Sequence, residues 1–541
     1  MNTYCRFFLF LILLFAFVPF IAQAAPGDIV SSIPAPCTMP TGLAFDGNLL
    51  WVADRLTDTL YAVDPVSGSV SKKLPAPGFV PTGLAWDGQH LWCVDREDAR
   101  IYQLDVNTGI TLKSIESPTA SPQGITWDGE FLWLADGGES VICKISPDDG
   151  TAILRYPEPD QAATGLTWWN GQVWCADRKS DRIYLFDPQY EEVVFGLDSP
   201  GKYPRGLTTD GNTLWNVDYQ DDKIYQLVIE DDENVKLKDQ KTLNMLLSYE
   251  FRNYGPGEVP SLDVYIAVPN DLPNQKLLGK VNFNPDPTDI IKDQWKQRIA
   301  HFALKDLQLA QRQVITMETE AELATAQTFV FPNKVGSLDD IPGKIKELYL
   351  TDEDKYSIND PIIQDAIKNA IGEETNPYWM MRKIHKYIRD RLHYELSGGW
   401  NTAPRVLERG NGSCSEYTFV FISMCRAAGI PARYVGAVVV RGDDASTDEY
   451  FHRWSQVYLP GYGWIHVDPQ GGDKTRPSDI AGSIGNISNR FLITTVGGGA
   501  SRYLDWNYNY NEKWTGKGPV KIHSEAIGEW SPVEEKRNDK E

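Results

Sequence analysis

Five stretches in the first half of the chain share one order of apolar and polar positions: TGLAFDGNLLWVAD at 41–54, TGLAWDGQHLWCVD at 82–95, QGITWDGEFLWLAD at 123–136, TGLTWWNGQVWCAD at 164–177 and RGLTTDGNTLWNVD at 205–218. Gly42, Gly83, Gly124, Gly165 and Gly206 recur at a strict spacing of 41. Within the second unit, runs near 82–87, 91–95, 100–105 and 110–116 alternate as strands do, separated by Asp-Gly, Glu-Asp and Asn-Thr-Gly turn signals. Four strands per unit predict a propeller blade, and five such units close a ring. Asp28–Ile33 precedes the first unit and matches the fourth strand of the others, so it is expected to complete the last blade and latch the ring. After about residue 235 the pattern changes. Leu243, Met245, Leu247, Tyr249 and Phe251 alternate with polar residues, and Leu262, Val264, Ile266 and Val268 follow the same rule, which predicts a small β-sandwich-like domain. Helices come next: Asn376 caps one whose first turn holds Pro377, with Met380, Ile384, Ile388 and Leu392 along one stripe.

The repeated tryptophans Trp51, Trp92, Trp133, Trp174 and Trp215 read as core, because a residue recurring at one blade position fills the same gap each time. The matching aspartates Asp54, Asp95, Asp136, Asp177 and Asp218 read as turn hydrogen-bond acceptors rather than calcium ligands. The blade pattern resembles the streptogramin-lyase and NHL-type propeller families, without features that would carry over an active site. Its histidine supply, His90 alone, is meagre for acid–base work.

At 541 residues the chain exceeds what one hydrophobic core organises, and a composition of 42% hydrophobic and 23% charged residues is ordinary globular usage. The formal charge of −22 argues against nucleic acid or an anionic membrane surface as a partner. Arg6, the apolar run from Phe7 to Phe20 and the small-residue end Ala22-Gln23-Ala24 predict a secretory signal cleaved after Ala24. The run is shorter than the ~20 residues a bilayer span needs, so no stable membrane insertion is expected after cleavage. The mature protein is then periplasmic or extracellular. Its six remaining cysteines, Cys37, Cys93, Cys143, Cys175, Cys414 and Cys425, contain no close-spaced pair, so neither a disulfide framework nor a zinc site is indicated.

The most informative stretch is GNGSCSEYTFVFISMCRAAGIP at 410–431. Ser413 and Glu416 form an S-x-x-E capping box that starts a helix, and Gly429 with Pro431 ends it. Cys414 therefore falls in the first turn, where free N–H groups and partial positive charge favour a thiolate. A thiolate nucleophile needs an imidazole to exchange its proton and a third group to orient that imidazole. His452 opens the strand-like HRWSQVYLP and Asp468 closes the strand-like GWIHVDP after a Pro-Gly-Tyr-Gly turn, so a hairpin would set them side by side. Cys425 lies about 16 Å along the same helix and reads as core. His466 reads as a strand histidine, Trp400 as a candidate wall of the acyl site, and His385 and His393 lack a paired ligand motif, so no metal or cofactor is proposed.

G-x-C at a helix start, R-A-A-G-I-P-A-R-Y-V at 426–435, H-x-W at 452–454 and G-W-x-x-x-D-P at 463–469 together resemble the transglutaminase-core family over roughly residues 340–500. The resemblance implies a papain-like α+β arrangement, with Cys414 as nucleophile, His452 as general base and acid, and Asp468 as orienting partner. The whole chain then reads as multidomain: signal peptide 1–24, five-bladed β-propeller 25–235, β-sandwich-like domain 236–335, transglutaminase-like core 336–500 and a C-terminal extension 501–541. The expected activity is acyl transfer to an amine, or hydrolysis, on a protein or peptide, with a possible protein partner on the propeller. The competing readings are a deamidase or cysteine protease, a binding scaffold with an idle triad, and a propeller that is itself a lyase.

Overall fold

The computed structural model describes residues 24–231, 233–396, 400–441, 446–448 and 451–533, so the expected signal segment lies outside it but for Ala24. Among the described residues no helix is long and apolar enough to cross a membrane.

The five repeats form five four-stranded antiparallel sheets, and the strand Ile29–Pro34 pairs with Lys223–Val228 to complete the fifth blade. The ring closes tightly because the recurrent glycines let inner strands approach one another. A Cβ on Gly83 would stand 2.3 Å from the carbonyl oxygen of Gln123, and one on Gly165 would stand 2.1 Å from that of Arg205. The five tryptophans are at most 4% exposed. Four of them donate their indole N–H to the aspartate five residues earlier: Trp51 to Asp46 at 2.8 Å, Trp92 to Asp87 at 2.9 Å, Trp133 to Asp128 at 2.8 Å and Trp215 to Asp210 at 3.0 Å. In the fourth blade that position is Trp169, and the indole N–H of Trp174 is left without a hydrogen bond. The aspartates that end the second strands accept backbone N–H groups of the turns, as Asp136 does from Ser121, Gly138 and Glu139.

The two alternating runs after the ring become Val235–Asn253 and Glu258–Ala267, the central strands of two facing sheets. Leu243, Met245, Leu247, Tyr249 and Phe251 from one and Leu262, Val264 and Ile266 from the other fill the space between. The C-terminal stretch read as an extension contributes a strand to each sheet: Tyr510–Lys517 pairs with Glu258–Ala267, and Ile522–Pro532 with Val235–Asn253. The reading missed this because Trp514, Lys517 and their neighbours are largely exposed, which hides the period-2 pattern.

The remaining part is α+β. Helices α1 (Gly343–Tyr349), α2 (Pro361–Ile371), α3 (Pro377–Arg391), α4 (Ala403–Arg409), α5 (Cys414–Ala427) and α6 (Pro477–Gly482) accompany a four-stranded antiparallel sheet. Its order is Gly463–Val467, Phe451–Leu459, Ala432–Val439, Phe491–Gly497. Asn376 caps α3 through the N–H groups of Tyr378 and Trp379. The stripe Met380, Ile384, Ile388 and Leu392 is buried, in one cluster with Phe421 of α5.

This cluster does not stop at the α+β part. Trp169, Trp174 and Phe195 of the fourth blade pack in it with Phe329 and Phe331, and Tyr190 stacks on Trp379 of α3 at 3.7 Å between centroids. Arg382 of α3, 3% exposed, reaches across to the Glu192 carboxylate and donates to the Val193 carbonyl at 3.0 Å and the Tyr378 hydroxyl at 2.9 Å. The sequence alone treats the propeller as a separate unit, whereas its fourth blade shares an apolar core with the α+β part.

Candidate active site

Helix α5 opens at Cys414 with Ser413 as its N-cap. Glu416, fully buried, turns back to accept from the Ser413 N–H at 3.1 Å. It also accepts from the backbone N–H and side-chain amide of Asn401 at 3.1 and 3.0 Å, and from Arg409 at 2.9 Å. Four donors, one of them the paired cation Arg409, make this buried carboxylate a clamp that fixes the position of the helix start. The capping signal was legible in sequence; the partners Asn401 and Arg409 were not, because they belong to a loop and to α4.

His452 sits near the start of the strand Phe451–Leu459, whose hairpin with Gly463–Val467 runs in the register Ser455 to Val467. Asp468 follows that second strand, and its Oδ2 lies 2.7 Å from His452 Nε2. The other carboxylate oxygen accepts the N–H groups of Gln470 and Gly471 at 3.1 and 2.9 Å. Gly471 has no room for a side chain: a Cβ there would stand 2.8 Å from Asp468 Oδ2. The Cys414 thiol and the His452 imidazole act on each other's protonation, so the structure brings all three predicted residues together.

The electrostatics match that chain. Burial is the largest influence on Cys414 and would raise its pKa, yet the hydrogen bond and charge of His452, with the backbone amide and guanidinium of Arg453, outweigh it and draw the thiol below its ordinary value. Burial likewise opposes protonation of His452, but the Asp468 carboxylate and then Cys414 raise it from 6.5 to about 10. Asp468, against the desolvation that would raise it, is held below the ordinary carboxylate value by His452 and the two turn amides. The arrangement favours thiolate, imidazolium and carboxylate together.

Arg453 was not singled out in the sequence. It is fully buried and its guanidinium lies among four rings, Trp400, Phe419, Tyr434 and Tyr508, at 5.0, 5.1, 4.9 and 4.3 Å. This cation belongs to the strand that carries His452, and Thr418 ties that strand to α5 by donating to the carbonyls of Cys414 and Arg453. Trp400 is 37% exposed beside Tyr508, and Tyr508 and Tyr394 both feel the charge of Cys414, which puts these two tyrosines in its neighbourhood. His385 is buried and neutral, its pKa pushed down to about 3 by burial and by Arg382 and Arg389. It supports the backbone of Asp468 and approaches the Ser483 hydroxyl at 3.3 Å. His466, also pushed down to about 3 by burial, accepts from the Trp454 indole at 2.9 Å and is a packing residue. Cys425 is a buried thiol whose pKa burial raises.

A cavity of about 750 Å³ adjoins the His452–Asp468 edge. Its opposite wall is the propeller's fourth blade, through Asp160, Ser180 and Arg182, and Lys238 and Gln327 of the sandwich close another side. Helix α6 forms its rim and docks on that blade by the Ser478 N–H to Pro159 carbonyl bond, at 2.9 Å.

A search of curated proteins finds a Haemophilus influenzae protein described as "Uncharacterized protein", 28% identical over 132 residues, which is 20% of this chain and 36% of that one. This chain thus matches about a third of that relative's length. Among solved structures, a "Putative Cysteine Protease" from Cytophaga hutchinsonii is 13% identical and covers 55% of this chain and 100% of its own, with a TM-score of 0.40. A catalytically inactive virginiamycin B lyase from Staphylococcus aureus is 18% identical, covering 37% of this chain and 69% of its own, with a TM-score of 0.26. The family model described as Transglutaminase-like superfamily matches residues 365–469, the stretch that holds Cys414, His452 and Asp468. This part of the chain is a transglutaminase-like domain.

Proposed function

We propose that the protein is an exported thiol enzyme in which Cys414 attacks a carboxamide or peptide carbonyl and passes the acyl group to an amine or to water. The observation that carries the reading is Cys414 at the start of a helix, coupled electrostatically to a His452 that is hydrogen-bonded to Asp468. The thiolate adds to the carbonyl carbon, and the imidazolium of His452 delivers a proton to the departing nitrogen. Ammonia or an amine leaves and a thioester remains. The incoming amine or water then gives its proton to His452 as it attacks, and the thiolate returns. Asp468 holds the imidazole by Nε2, so the other ring nitrogen faces the sulfur.

The cavity between the fourth blade and the His452–Asp468 edge supports a part for the propeller in choosing the substrate, beyond holding a protein partner. The test is mass spectrometry of products from a glutamine-containing peptide mixed with a primary amine. A mass gain for the amine with loss of ammonia marks transfer, and a gain of about one mass unit marks deamidation. Products that form equally with Cys414→Ala would end the reading.

A further inference from the structure

At the inner-strand position that precedes each recurrent glycine, four blades carry Thr41, Thr82, Gln123 and Thr164, and the fifth carries Arg205. The threonines have a plain structural task. Thr41, Thr82 and Thr164 each donate to a carbonyl of the next blade, to Pro81 at 2.7 Å, Pro122 at 3.1 Å and Pro204 at 3.0 Å. Arg205 makes no such stitch, and its Nε is buried without a hydrogen-bond partner. An orphaned buried donor of this kind is costly and calls for an explanation.

Three more arginines directly follow second strands of the ring: Arg55, Arg96 and Arg178. Burial first, and then the charges of Arg178, Arg55 and Arg96, push Arg205 down to about 10, so the other three guanidiniums act on it. The aspartates beside them, Asp54, Asp95 and Asp177, accept hydrogen bonds from turn amides and a hydroxyl, and among the described residues none of them forms an ion pair with these arginines. A cavity of about 170 Å³ lies at the seam of the fifth and first blades, lined by Arg55, Arg205, Tyr203 and Tyr219 among others. Arg178 donates to the Tyr203 hydroxyl at 3.3 Å, and Tyr203 and Tyr219 lie 5.4 Å apart between centroids. In a chain of net charge −22, this concentration of cations without an ion pair among the described residues runs against the background.

We propose that the arginine cluster at the mouth of the propeller axis is an anion-binding site, which takes a small oxyanion or the phosphate or carboxylate group of a larger ligand. Guanidinium forks match both groups in a bidentate way. The cavity is smaller than the roughly 300–1,000 Å³ of pockets that enclose drug-sized ligands, which suits one anionic group rather than a whole metabolite. The site is independent of the triad.

Isothermal titration of the full chain at low ionic strength with pyrophosphate and, separately, with citrate tests the proposal and distinguishes phosphate from carboxylate. Arg205→Thr installs the residue the ring uses elsewhere and so preserves the blade. At least one probe binds the wild type, and its Kd weakens tenfold or more in Arg205→Thr and in Arg55→Gln. The ligand-free Arg205→Thr protein melts no lower than the wild type, because a crowded, unsatisfied cation is removed. Equal affinity of wild type and both variants, or no binding of either probe by the wild type, overturns the site. A lower melting temperature of Arg205→Thr with unchanged affinity assigns the arginine to ring packing and overturns it too.

Discussion

Replacing Asp468 by asparagine keeps the size of the side chain and removes the charge that most raises His452. The rise of that imidazole from 6.5 to about 10 corresponds to about 5 kcal/mol of preference for the protonated form, at about 1.36 kcal/mol for each tenfold. Asp468 is the first of its causes, so Asp468→Asn returns His452 toward or below its ordinary value under the burial that opposes its charge. Cys414 then loses the imidazolium that draws it down, and burial raises its pKa. The assay is the alkylation rate of Cys414 by iodoacetamide as a function of pH. It is selective, since Cys93, Cys143, Cys175 and Cys425 are buried and Cys37, half-buried, is pushed up to about 12. In the wild type the rate rises through a pKa below that of a free thiol and levels off while the imidazolium persists, up to about pH 10. In Asp468→Asn the rise moves to higher pH, and turnover falls on the order of 10³–10⁴-fold. An unchanged alkylation profile in Asp468→Asn would refute the coupling of the three residues.

Gly471→Ala pushes a methyl against the Asp468 carboxylate, so turnover drops at least about tenfold with little change in melting temperature, read by activity and circular dichroism on one sample. Arg382→Ala leaves Glu192 uncompensated between propeller and core and costs about 3–5 kcal/mol in denaturant unfolding; Glu192→Gln in the same chain recovers part of it. Trp133→Phe removes the hydrogen bond to Asp128, whereas Trp174→Phe removes none, so the first destabilises by about 1 kcal/mol more than the second in parallel melts.

The ring, the sandwich strands and the three site residues were legible because each is written locally. A fixed spacing of 41 marks the blades, a period of two marks Leu243 to Phe251, and a helix-start signal sits at Ser413 and Glu416. What escaped was contact between parts distant in sequence. Arg453 lies beside Cys414 only because Phe451–Leu459 crosses the start of α5, and His385 reaches Asp468 from a helix more than eighty positions earlier. The C-terminal strands were hidden by exposure, since a half-wet strand has too few apolar positions to show its period.

The repeat carries more information where it fails than where it holds. A residue that recurs in all five blades answers a demand of the ring, as the glycines do by admitting a neighbour's backbone. A departure answers some other demand, and each departure followed here has one. Trp169 replaces the aspartate that would hold the indole of Trp174, so the fourth blade forgoes a hydrogen bond in its own core; in return it sets an aromatic ring against Phe331, where the α+β part packs. Arg205 replaces the threonine that would stitch the fifth blade to the first, and the same blade gains a cation at the mouth of the axis. The two sites of departure lie at opposite ends of the inner strands, Trp169 at the end of Ala163–Trp169 and Arg205 near the start of Pro204–Thr209. One departure therefore serves packing against the α+β part, and the other supplies the cation on which the proposed anion site rests.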